Sequence, residues 1–75
     1  MSNFPIIDIS ATGQNIVRLR KKAGLTVANI QNIFGFSSPQ AIYKWQSGKC
    51  LPTVDNLVVL SVLFNTSINN ILVFS

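Results

Sequence analysis

The stretch SSPQAIYKWQSGK, Ser37–Lys49, sets Gln40, Tyr43 and Lys44 among Ala41, Ile42 and Trp45 and then stops at a glycine, Gly48. It reads as a short helix. Ser38 is placed as its N-cap, and Pro39 as its first helical residue, where a missing N–H costs nothing. The helix then runs to about Gln46, and Ser47 and Gly48 end it. Ala41, Ile42 and Trp45 share a face that can pack inward, whereas Pro39, Gln40, Tyr43 and Lys44 point elsewhere. A glutamine amide donates and accepts at once and so matches the major-groove edge of adenine, and a lysine donates to guanine O6 and N7. Tyr43 can reach a phosphate or a thymine methyl. Ser38 and the open N–H groups at the helix start suit a phosphate oxygen. Every exposed helix carries polar residues, so the flanking segments must decide what this face is for.

On the N-terminal side, Leu25 and Thr26 open a second short helix. Thr26 is its cap, and Val27, Ile30, Ile33 and Phe34 form its apolar stripe until Gly35. Before it, Ile16, Leu19 and Ala23 recur at helical spacing from Thr12, and Gly24 stands where a helix commonly stops. This first helix carries Arg18, Arg20, Lys21 and Lys22 in its last turns. Cations there complement the negative end of the helix dipole, and they serve phosphate binding equally well. Asn3–Ser10 alternates in a β-like way, and Pro5 disfavours helix at Phe4, so residues 1–11 read as an extended arm and 12–75 as the folded domain.

On the C-terminal side, Lys49–Thr53 is a loop that Pro52 keeps from continuing as helix, and Thr53 caps a fourth helix, about Val54–Phe64. Leu57, Leu60 and Phe64 make its inward stripe. Val58, Val59, Val62 and Leu63 occupy the rest of its circumference, and a helix that is apolar all round is normally covered on more than one side. Ser67 caps a last short helix through Leu72, and Val73, Phe74 and Ser75 form an apolar tail. Either the arm and this tail cover the fourth helix within one chain, or a homodimer does, through Val59, Val62, Leu63 and Phe74.

Composition limits the chemistry. Seventy-five residues, 48% hydrophobic and 11% charged, make one small core-forming domain. Six Lys and Arg against two carboxylates give a net charge of +4, which favours a polyanionic partner. With no histidine, one cysteine, and Asp8 and Asp55 in separate segments, neither acid–base catalysis nor a metal site is expected, and no cofactor or small-molecule effector is implied. Cys50 cannot form an intramolecular disulfide. The start, MSNFPIIDIS, lacks the features of a secretory signal, and LVVLSVLF is too short to span a bilayer, so a cytoplasmic protein without a membrane role is expected. A basic first helix could bind anionic lipid, but its apolar face is needed for the core.

Two runs, IVRLRKKAGLTVANIQNIFGF and IYKWQSGKCLPTVDNLVVLSVLFNTSINNIL, together span most of Ile16–Leu72 and resemble the lambda-repressor-like, Cro/cI type helix-turn-helix family, also called the Xre family. Arg20, Gly24, Leu25, Thr26, Gly35, Ile42, Trp45, Gly48, Lys49 and Pro52 carry the resemblance, in that order. It implies an all-α bundle of about five helices whose third helix enters the major groove of double-stranded DNA, often as a dimer on a two-fold operator. It implies base reading by Pro39, Gln40, Tyr43 and Lys44, and backbone holding by Arg20, Thr26, Ser37, Ser38 and Lys49. The implied role is that of a small transcriptional regulator, a repressor. The other reading is an antitoxin or protein-interaction module that meets a protein partner through the fourth helix and the tail.

The sequence departs from the family pattern in several places. The turn before the third helix is one residue longer. Val27 stands in place of a phosphate-touching Gln. Gln31 replaces a small Ala, so its amide needs a polar partner or solvent. Gln46 replaces the Glu that pairs with the first-helix Arg, which leaves Arg20 either freer to hold phosphate or less well positioned. Val59 and Val62 replace polar residues.

Overall fold

The computed structural model describes residues 4–75 and consists of five helices: α1 Ile9–Lys22, α2 Val27–Phe34, α3 Gln40–Ser47, α4 Val54–Leu63 and α5 Ile68–Ile71. The fold is all-α, as expected. The caps at three of these helices follow the sequence. Thr26 forms a reciprocal capping box with Asn29, and Thr53 and Ser67 accept from Asn56 N and Asn70 N. Each cap satisfies an N–H that the helix itself leaves open.

Two helix starts differ from expectation. α1 begins at Ile9 rather than Thr12, because Asp8 is its N-cap and accepts from Ala11 N at 2.9 Å. The alternation around Asp8 is therefore the end of an extended arm, a cap and a first helical residue in succession. Ser38 does not cap α3. Pro39 occupies the N-cap position, with φ −84° and ψ 5° and no side-chain hydrogen bond to the helix. Proline holds its own φ near the helical value, so the start is set by ring geometry instead of by a hydroxyl.

The arm and the tail pair with each other. Ile7 and Phe74 form an isolated antiparallel bridge, flanked by Asp8 N to Val73 O and Ser75 N to Ile6 O, both 2.8 Å. Of the arm assigned to residues 1–11, residues 1–3 lie outside the described residues and 9–11 belong to α1.

Ile16, Leu19, Ile30, Ile42, Trp45, Leu57, Leu60, Phe64 and Ile71 make the buried core, to which every helix contributes. Burying one such side chain stabilises the fold by roughly 1.5–3 kcal/mol. Around Trp45 the packing is aromatic: the rings of Phe34 and Phe36 stack at 5.1 Å, and both meet the indole edge-on.

α3 packs chiefly on α1. The approach is close enough that a Cβ on Gly13 would lie 2.5 Å from Trp45 O and 2.6 Å from Gln46 O. At the other side of the same contact Gly48 ends α3 in the left-handed region, φ +79°, and a Cβ there would stand 2.9 Å from Ser10 Cα. α1 also holds the C-terminal segment. The buried Thr12 Oγ1 accepts from Val73 N at 2.9 Å, and Asn15 Nδ2 donates to the carbonyls of Asn70 and Ile71, at 2.7 and 2.9 Å.

Candidate nucleic-acid interface

Ile42 and Trp45 are buried, and they fix the rotation of α3 about its axis. The helical period then determines what faces outward: Gln40, Tyr43, Lys44 and Ser47, at i, i+3, i+4 and i+7, form one stripe. Beyond the left-handed Gly48 the chain turns back, and Lys49 N and Cys50 N both donate to Lys44 O, at 3.0 and 3.5 Å. That turn brings Lys49 alongside the stripe. Gln40, Tyr43, Lys44, Ser47 and Lys49 together line an open groove of about 320 Å³.

Three of the four residues expected to read bases, Gln40, Tyr43 and Lys44, thus come together, with Lys49 beside them. Pro39 is half-buried at the start of α3 and is not part of the groove. Ser47 is, although beside Gly48 its residue type points only to a helix end. The i+7 position on the stripe of Gln40 is the signal that identifies it.

The residues expected to hold a phosphate backbone are more dispersed. Ser37 and Ser38 are exposed in the turn before α3. Thr26 is exposed at the start of α2, and its oxygen accepts from Asn29 N. Arg20 is neither freed nor displaced by the absence of a glutamate at position 46. Its Nε donates to Gln46 Oε1 at 3.0 Å and its Nη1 to Leu25 O at 2.9 Å, so Arg20 is held by two neutral oxygens and not by an ion pair. Gln31 finds the polar partner its position demands: its amide donates to Phe36 O at 3.3 Å. The connection from α2 to α3 occupies residues 35–39.

A second surface lies on α4. Val54, Val58 and Val62, at i, i+4 and i+8, are 73%, 49% and 73% exposed, and Val59 adjoins them. Of the residues assigned to an interface, Val59, Val62 and Phe74 are exposed, but Leu63 packs against the core. The reason is angular, since Leu63 follows Leu60 and Phe64 around the inward side. The arm and tail pair with each other beside α1, and among the described residues nothing covers the valine stripe.

Asp8 is committed to the α1 cap, and Asp55 sits in the first turn of α4, where a carboxylate suits the helix dipole. Among the described residues no group of His, Cys, Asp and Glu could hold a metal ion, and no helix is long and apolar enough to cross a membrane. Compared with protein-family models, curated proteins and solved structures, the chain gives no significant match.

Proposed function

We propose that the chain is a sequence-specific double-stranded DNA-binding regulator that acts by occupying its site. In this reading α2 and α3 form a helix-turn-helix with a lengthened turn. α3 lies in the major groove, Gln40 and Lys44 meet base edges, and Lys49, Ser37, Ser38 and Thr26 meet phosphates. The observation that carries the reading is the stripe Gln40, Tyr43, Lys44 and Ser47 on a helix locked from behind by Ile42 and Trp45. An exposed reading edge on a rigid mount is what base discrimination requires. The net charge of +4 supplies sequence-independent attraction to the phosphate backbone. Arg20 contributes by bracing α1 against α3, and its remaining N–H groups can donate to phosphate.

Selection of bound sequences from random duplex DNA tests the proposal, and an enriched motif with binding that weakens steeply as salt rises is the expected result. Failure to enrich any sequence overturns it. The uncovered valine stripe of α4 favours a second reading, a protein-interaction module of the antitoxin kind, in which a second copy or another protein covers that stripe. A stoichiometric protein complex combined with no enriched DNA would select that reading.

A further inference from the structure

The groove beside α3 is rimmed by charge yet walled largely by carbon. Tyr43 is exposed and presents its ring, and Lys44 and Lys49 contribute methylene stems whose ammonium groups extend beyond them. No carboxylate lines the groove, because Asp8 is engaged at the α1 cap and Asp55 stands in the first turn of α4. Among the described residues neither lysine meets an ion-pair partner. The ligand that such a site fits is an anion with apolar surface between its charges. A phosphate backbone supplies the charges but little to bury on the ring, and base edges present chiefly donors and acceptors. A carboxylate-bearing polypeptide supplies both: an aliphatic or aromatic side chain for the ring and the stems, and acidic groups on either side of it for the two ammonium ions. The volume of about 320 Å³ is at the lower end for a ligand cleft and suits one large side chain.

We infer that the groove is also a docking site for an acidic segment of another protein, one in which an apolar residue stands between carboxylates. The apolar residue covers Tyr43, and the carboxylates meet Lys44 and Lys49. A segment so placed covers Gln40 and Lys44, so it and duplex DNA exclude each other. That exclusion rests on the DNA-binding reading above, whereas the docking does not. The surface proposed to hold DNA is then also the surface from which a protein releases it.

The test selects binders of the full chain from a library of random linear peptides. Enriched peptides should carry acidic residues around an apolar one, and on binding they should shift the amide resonances of Tyr43, Lys44 and Lys49 more than those of Val58 and Val62. Tyr43→Ala should weaken a selected peptide about tenfold, the scale of truncating a tyrosine that anchors an interface. Lys44→Glu combined with Lys49→Glu should abolish binding. All three positions are exposed, so the thermal midpoints of these variants should stay that of the parent. Poly-glutamate of the same net charge should bind far more weakly, and equal affinity would reduce the site to charge alone and overturn it. Enrichment of no peptide, enrichment of peptides without acidic residues, resonance shifts centred on α4, or a double charge-reversal variant that still binds overturns the docking site as well. A selected peptide should also displace duplex DNA carrying the enriched motif. Peptide and DNA bound together overturn the exclusion and leave DNA binding intact, while enrichment of peptides without any DNA motif overturns the DNA-binding reading and leaves the docking site standing.

Discussion

The side chain of Arg20 joins α1 to the last turn of α3 through Gln46, Nε to Oε1 at 3.0 Å, while its Nη1 holds Leu25 O. Both bonds are partly buried, and each is made to a charged donor. Arg20→Ala should therefore lower unfolding stability by about 2–4 kcal/mol, with each charge-assisted bond worth about 1.5–3 kcal/mol before solvent screening reduces it. Gln46→Ala, which removes one acceptor, should cost less. Urea denaturation of both variants checks the order, and equal costs would mean that the Leu25 contact contributes nothing.

Gly13→Ala should destabilise the fold by about 1–3 kcal/mol, because its Cβ would meet the carbonyl oxygens of Trp45 and Gln46. On an uncrowded helix the same change stabilises by about 1 kcal/mol. The sign of the shift in thermal midpoint is thus the measurement.

Thr12→Val keeps the volume and removes the acceptor of Val73 N, leaving a backbone donor without its partner. The expected cost is about 1–3 kcal/mol. Amide exchange at Val73 should accelerate more than exchange at Ile42.

Lys44→Ala should relax discrimination at one base pair by about 1–3 kcal/mol, whereas Lys49→Ala should weaken binding to every sequence alike and flatten its salt dependence. Titrations of the recovered motif and its single-base variants, at two salt concentrations, separate the two effects. Identical behaviour of the two variants would reject the division of roles.

Val62→Asp falls on an exposed position, so the folded chain should keep its stability to within about 0.5 kcal/mol. If two copies meet on the valine stripe of α4, the variant is monomeric at concentrations where the parent is dimeric. Light scattering reads the difference.

Helix count, most caps and the inward residues of α3 and α4 were legible because each rests on local chemistry: a hydroxyl before a helix, a left-handed glycine after it, an apolar period within it. The cap at Asp8 is hidden in the sequence because its neighbours alternate as a strand would, and the pairing of Ile7 with Phe74 and the bond from Ala11 N to Asp8 show where the strand-like part stops. Gly13 gave no local sign at all. Its meaning lies in the backbone of Trp45 and Gln46, far along the chain, and the same is true of Thr12 and Asn15, whose partners are in the C-terminal segment. In the candidate site Gln40, Tyr43 and Lys44 followed from spacing, Ser47 was available from the same spacing, and Lys49 depended on the turn after Gly48.

Gly13 and Gly48 let the main chain of α3 and its exit turn rest directly against α1, with no side chains interposed. The orientation of α3 is consequently set by its seat on α1, and the link from α2 holds it from the other side through Phe36 against Trp45. A side chain added at either glycine would have to lift α3 or its exit turn off α1, and the stripe of Gln40, Tyr43, Lys44 and Ser47 would be carried with it.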